Sequence, residues 1–474
     1  MSRRDEAPRS LLAPPDDVAT LFTQESTLAL AQQVRGYMTA EDSTVDVQSG
    51  VSGYTEFSLN EVQGGYDSAS RSVSFSEEFA KGKRNASMSI DTLDDASLKA
   101  AVAKAEALAQ AETVLGREPE PRDPLRAAGS VNPTLWSDNS ATLLTADARL
   151  AVAQGVLSAT EKLGLVAAGH LQADPSTIGV LTKAGHFEFG RSSTCRYTVT
   201  ARTKDGTGSG WAAWVGEDWS KANPEAIVAR AVDLAQRTRN PVAVEPGRWT
   251  VVMTPEACGE LVFQIPTAFL GAVLSGLAAD HGDTPFSKPG GGNKIGLKVL
   301  DERVTLSIDP MDPEGGFIPF SYGGRLVQFV PVNWVENGVL KALSYPTVAQ
   351  AAQHGIDQVN NPMALRMSGG PTSIEEMIAT TERGIYVTRF SDVTAIQLKT
   401  LYMTGVTRDG TFLIEKGKIT KPIKNLRFED SPFFFLNNLA AIGPARRVAV
   451  GYRPYVMPAI KVRDFAFTSL TDAV

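Results

Sequence analysis

The chain has 474 residues, 43% hydrophobic and 21% charged, enough to bury one large core or two or three smaller ones. Forty-six basic against 53 acidic side chains leave a net charge of −7 and no basic block, which argues against a phosphate-tracking stripe and against nucleic acid as the default partner. Two cysteines, Cys195 and Cys258, and four histidines, His170, His186, His281 and His354, exclude a disulfide framework and the common paired zinc motifs.

No window holds the roughly 18 uninterrupted apolar residues of a membrane helix, and the basic start lacks an apolar signal core, so a cytoplasmic protein is expected. Residues 1–20, rich in proline and charge, read as a mobile lead-in, followed by a helix over about 17–38. Strict alternation from Asp42 to Ile90, as in Ser72-Val73-Ser74-Phe75-Ser76, predicts antiparallel strands. Residues 94–112 return to helical spacing, with Leu98, Val102, Ala105 and Leu108 on one face and aspartates where the helix dipole favours them. Residues 116–135 hold four prolines and no period, a long surface connection.

A helix over about 146–163 precedes strands at 179–185, 187–192 and 197–203, a Lys204-Asp205-Gly206 turn and a strand at 210–215. Asn223-Pro224 starts a helix and Asn240-Pro241 ends it. The two strand-then-helix blocks at 42–112 and 176–239 suggest a pseudo-repeat within an α+β domain of residues 21–245, with antiparallel strands covered by helices. Residues 246–474 then read as a β-rich second domain: a strand at 249–253, a helix from Pro255 to about Ala279, and Gly-bounded strands whose turns at 336–338, 408–410 and 415–417 predict a barrel-like sheet with covering helices. Ser373 and Glu376 form a capping box, and Gly384 is read as the stop of that helix.

The second half carries three segments, SGGPTSIEEMIATTERGIYVTRF at 368–390, TRDGTFLIEKGKITKPIKNLRF at 407–428 and MPAIKVRDFAFTS at 457–469, with a weaker one at 53–63. In order and spacing they resemble the TldD/PmbA family, bacterial and archaeal proteins known as modulators of gyrase and as peptide-processing metalloproteases. In the family's catalytic subunits a His-Glu-x-x-x-His motif follows a strand and enters a helix. Neutral imidazoles there bind zinc, the glutamate takes a proton from the metal-bound water, and a distant cysteine completes the site.

The corresponding segment here runs from Val251 through Thr254-Pro255-Glu256-Ala257-Cys258-Gly259-Glu260, so that Pro255 and Glu260 stand where the resemblance expects histidines. Proline offers no ligand atom, two carboxylates would compete to ionise without a cation, and no cysteine follows Cys258. The family's acidic run after Asp309-Pro310 is also replaced, by Phe320-Ser321-Tyr322-Gly323-Gly324. This pattern is like the PmbA (TldE) branch, which lacks the metal motif and works beside a zinc-bearing TldD-type partner.

Each candidate has a plainer reading. Glu256 is a vestigial general base or an early-turn acid held by the helix N-terminus. Cys258 is a chamber-lining thiol or a small buried hydrophobe. His281 and His354 read as helix-end residues, the loop Pro289–Lys294 lacks a phosphate loop's ending, and Phe433-Phe434-Phe435 reads as core or interface. Residues 405–411, with Arg408 and Asp409, line a chamber to which peptide adds as a strand, or form an ordinary hairpin. The resemblance therefore implies a non-catalytic subunit of a two-component zinc metallopeptidase acting on unfolded or small modified peptides. It holds no metal of its own; zinc is expected only in a heterodimeric partner. The alternatives are a stand-alone homodimer that binds a peptide or metabolite without hydrolysis, and a diverged metal-independent enzyme using Glu256, Glu260 or Cys258.

Overall fold

The computed structural model describes residues 21–79, 84–111, 135–138, 145–321, 327–451 and 454–471. The lead-in at 1–20, nearly all of the 116–135 connection and residues 322–326 lie outside the described residues. The class is α+β, as the alternation of periods implies.

The N-terminal part is an eight-stranded antiparallel sheet. Its strands are β1 (Asp42–Ser58), β2 (Glu61–Phe79), β3 (Arg84–Ile90), β4 (Leu165–Ala173), β5 (Ser176–Thr182), β6 (Phe187–Ser192), β7 (Cys195–Thr203) and β8 (Ser209–Gly216). The main path is β3-β2-β1-β4-β7-β8, and β1 divides its second edge, pairing β5 through Thr44–Gly50 and β4 through Gly53–Phe57. The long hairpin β1–β2 closes through Leu59 and Asn60, both left-handed (φ 53 and 63), the two-residue turn whose twist matches that of paired strands. Asparagine tolerates this conformation; Leu59 does not, and it is 74% exposed at the tip.

Four helices, α1 (Gln24–Tyr37), α2 (Asp95–Ala111), α3 (Ala146–Lys162) and α4 (Pro224–Arg237), cover one face of this sheet. They meet the odd-numbered residues of β1: Val45 and Val47 pack with α1 and α2, and Phe57 with α3. In α2 the buried stripe is Leu98, Ala101, Val102, Ala105 and Ala109, while Leu108, expected on it, is 54% exposed; the stripe runs through alanines at 105 and 109 instead. Arg149 of α3 is buried, with Nε donating to Thr55 (2.9 Å) and Nη2 to Asp67. The opposite face carries Tyr54, Tyr66, His170, Arg196 and Trp211 and is turned toward the C-terminal part, where Ile318 and Phe320 pack on Ile178 and Val180.

The C-terminal part is built on a 13-stranded sheet around β9 (Gly247–Met253) and the strand Tyr455–Leu470. Val251, Val252 and Met253 are all fully buried, as expected of a strand covered on both faces, and β9 pairs antiparallel with 455–470 and parallel with Arg383–Val387. The barrel-like closure expected from the turn pattern is corrected: the main path ends at Val339–Leu340 on one side and Lys418–Pro422 on the other, and these edges do not pair. Short turns imply a meander, and closure needs a shear that turns alone do not encode.

Two further expectations change. The helix read from Pro255 to Ala279 is broken into α5 (Pro255–Val262) and shorter turns, because Phe269, Leu270 and Gly271 are left-handed (φ 53, 57 and 83). The stretch Pro255–Leu274, apolar enough by composition to cross a membrane, is therefore no straight rod, and it packs largely within the C-terminal core. The capping box at Ser373 and Glu376 forms, but its helix ends at Thr380; Gly384 lies inside the next strand, where a Cβ would stand 2.7 Å from the carbonyl of Thr250. Its missing side chain serves strand packing rather than helix termination.

A comparable approach occurs at Gly169 of β4, where a Cβ would meet the Thr198 carbonyl at 2.0 Å and the Phe57 ring at 2.8 Å. Gly169→Ala is expected to cost about 1–3 kcal/mol through overpacking, read as a fall in the urea midpoint with an unchanged slope.

Candidate functional site

The segment that resembles the metal motif begins where β9 ends. Thr254 caps α5: its hydroxyl accepts from the Ala257 amide (3.2 Å) and donates to the Thr388 carbonyl (2.7 Å), tying the helix start to the neighbouring strand. Pro255 occupies the first helical position, where its missing N–H costs nothing and its fixed φ favours the turn.

Glu256 is 6% exposed. Arg446 donates to Oε1 at 2.5 Å, and Arg230 of α4 stands 3.9 Å from Oε2. Burial pushes this carboxyl up, but Arg446 and Arg230 together outweigh it, so the group ionises below the ordinary glutamate range. The helix N-terminus adds only the smallest of these effects. The plainer reading of Glu256 as an acid held by that N-terminus therefore yields to an arginine clamp drawn from both parts of the molecule.

Glu260 follows on the next turn. Among the described residues it has no hydrogen bond and no cation within 4.0 Å, although Arg389, Arg196 and Asp392 act on it from farther away. Burial dominates and pushes its carboxyl up to about 7. The competition expected between Glu256 and Glu260 is not what sets either group: arginines hold one ionised, and desolvation raises the other.

Cys258, between them, is fully buried, with its thiol pushed well above the usual range, and it opens onto no chamber. Asp409 does line a cavity of about 310 Å³ at the junction of the two parts, with Thr207, Ser209, Thr238, Lys424 and Asn425. Its carboxylate accepts from Ser209 (2.5 Å) and from Arg389 (2.8 Å), whose guanidinium lies 4.4 Å from the Trp211 ring centre. Arg408 points elsewhere, 3.8 Å from Asp392. His354 bonds Asp280 and Asn293 and stacks on Tyr345, which anchors the glycine-rich loop as a small hairpin. His281 caps a short helix, as expected. Phe435 is core and Phe434 is 40% exposed beneath Arg248.

The functional arginines were not found from the sequence. Arg196 donates to the carbonyls of Ala449 (2.7 Å) and Gly451 (2.9 Å), and Arg447 pairs with Glu217, so five arginines, 196, 230, 389, 446 and 447, gather at the junction. The one available signal was Arg446-Arg447 inside an otherwise apolar strand, where adjacent side chains point to opposite faces and both still need partners. The donor set around α5 does not fit a zinc ion: Pro255 has no donor, and a guanidinium holds Glu256. No group of three His, Cys, Asp or Glu side chains among the described residues is placed to hold a metal.

The fold and this helix define an α+β protein whose C-terminal sheet leads, through Thr254, into a helix held by ion pairs. Residues 246–469 match the family described as PmbA/TldA metallopeptidase C-terminal domain, which assigns that part of the chain to the TldD/PmbA family. A metalloprotease of Methanothermobacter thermautotrophicus is 24% identical over 217 residues, which span 44% of this chain and 45% of that relative. TldE from Thermococcus kodakarensis shares the fold at a TM-score of 0.75 and 17% identity, covering 93% of this chain and 99% of that one. A Bacteroides thetaiotaomicron protein described as a candidate modulator of DNA gyrase does so at a TM-score of 0.77 and 18% identity, covering 94% and 100%.

Glu260 gives a pH test. Its folded pKa of about 7 exceeds that of an unfolded glutamate, so the folded state retains a proton that the unfolded state has released. Stability falls as pH rises from the ordinary glutamate range to 7, and the penalty is complete above that. Glu260→Gln removes it: the variant is expected to be more stable than the parent by roughly 2 kcal/mol at about pH 8 and equal to it at about pH 4, as read from urea titrations at both.

Proposed function

We propose that this chain is the non-catalytic subunit of a two-component zinc metallopeptidase that acts on unfolded or small modified peptides. It contributes chamber wall and subunit interface, and zinc belongs to a TldD-type partner. The observation that carries this reading is the replacement of the motif's ligands: Pro255 at the first position, and Glu256, the counterpart of the general base, clamped by Arg446 and Arg230. A carboxylate held ionised by two guanidiniums makes a poor proton acceptor, since Arg446 occupies Oε1 and the depressed pKa lowers basicity. The likeness to TldE supports the assignment to the metal-free branch.

In this reading the residues around α5 have a scaffolding task. Thr254 fixes the helix to the sheet, Glu256 joins α4 to the strand Leu439–Val448, and Asp409 joins β8 to Arg389. The purified chain is expected to bind no stoichiometric zinc and to cleave no unfolded peptide. A histidine-bearing partner is expected to co-elute with it from its native source, and the mixture should hydrolyse the peptide in a chelator-sensitive way. One tightly held zinc per isolated chain by metal analysis, or cleavage by the chain alone, would overturn the reading.

A further inference from the structure

The helix-free face of the N-terminal sheet is not consumed by the site at α5. Three rings lie on it in sequence across three strands: Tyr66 on β2 stacks on Tyr54 of β1 at 5.2 Å, and Tyr54 stacks on His170 of β4 at 5.7 Å. Arg196 of the next strand, β7, continues the row toward α5. Tyr66 is 52% exposed, and above Gly64, opposite Glu56, an added Cβ would meet nothing within 4 Å, so the row opens onto free space. A stacked row of this kind presents π faces and edges that an apolar or cationic side chain can use, and β1 and β2 hold it rigid.

Its outer end is acidic, whereas Arg196 stands at the inner end. Glu56 and Glu61 are exposed near the hairpin tip, where no lysine or arginine occurs between residues 36 and 70. Glu56 stands beside Tyr54, whose hydroxyl donates to it at 3.4 Å, and opposite His170; Glu61 lies opposite Ser58, two residues on along the same face. Neither Glu56 nor Glu61 has a cation within 4.0 Å among the described residues, and Asp67 is turned to the helix side, where Arg149 takes it. Leu59 and Val62 add exposed apolar surface at the tip, 74% and 37% accessible.

We infer that the face bearing Tyr66, Tyr54, His170, Glu56 and Glu61 is a docking track for an extended polypeptide segment rich in basic and aromatic side chains. It leads from the tip of the β1–β2 hairpin toward Arg196 and the α5 helix. A lysine or arginine side chain lies over the outer face of Tyr66, and others run along the ring edges with their charge at Glu56 and Glu61, while an aromatic side chain extends the stack. The inference rests on the reading above in one respect only, that the ligand is a peptide, and it assigns to this subunit a sequence preference of its own.

The test uses the full chain and two fluorescently labelled unstructured peptides, one rich in lysine and phenylalanine and the other with glutamate in place of lysine, followed by anisotropy. The basic peptide is expected to bind at least about tenfold more tightly at low salt, with the margin shrinking as ionic strength rises. Tyr66→Ser is expected to weaken it by about two- to fivefold, the scale of one exposed cation–π contact. Glu56→Gln combined with Glu61→Gln should remove most of the preference, and Glu25→Gln on α1, across the sheet, should change nothing. Circular dichroism and the urea midpoint confirm that each variant is folded. Equal binding of the two peptides, or a basic preference that survives in the combined variant, overturns the track. Metal content and hydrolysis are read separately, so a track that fails leaves the subunit reading standing, and the reverse holds as well.

Discussion

A carboxylate cannot stay ionised inside a protein core unless cations are brought to it, and much of this molecule is arranged around meeting that demand at Glu256. Arg446 comes from the last third of the chain and Arg230 from the helix α4 that covers the N-terminal sheet, so satisfying one buried charge fixes the two parts against each other. The neighbouring contacts repeat the device. Arg196 reaches the carbonyls of Ala449 and Gly451, Arg447 takes Glu217, and Ser209 donates to Asp409. The large apolar clusters, by contrast, lie on either side of this junction, and among the described residues a small one bridges it through Ile318 and Phe320. Arg446 and Arg230 are themselves 43% and 48% exposed, so solvent shares in screening these pairs, while the carboxylate they serve is buried.

That arrangement explains which features the sequence disclosed. Local features were legible because their physics is local: the alternation of β1 and β2, the Asn223-Pro224 start of α4, the capping box at Ser373, and the strand-to-helix turn into Pro255. The position of the segment 254–260 at the strand-to-helix turn was legible too, because the resemblance singled it out. The partners of Glu256 were not, since they lie 26 residues before it and 190 after it and no spacing rule connects them. Gly384 misled for a related reason: the contact that demands a glycine is with Thr250 on another strand, and the local signal was that of a helix stop. Leu108 shows the same limit on a smaller scale: a helical spacing rule placed it on the buried stripe, which runs through Ala105 and Ala109.

The two faces of the N-terminal sheet divide its work. The face under the helices is apolar and closed by Arg149, and it supplies stability. The other face spends its residues on rings, hydroxyls and carboxylates that do little for folding and remain half open to solvent. Burying polar and aromatic groups incompletely is a cost that a purely structural sheet avoids, and here it falls on the side turned toward α5.

The clamp on Glu256 also bears on how this segment can change. A guanidinium supplies the positive charge beside this buried carboxylate. Histidines restored at 255 and 260 would draw a dication into the field of Arg446 and Arg230, and removing the arginines first would strand a buried carboxylate. Neither single step is neutral, so the two must occur together. An arginine clamp of this kind thus acts as a ratchet: easily kept, and hard to exchange for a metal one substitution at a time.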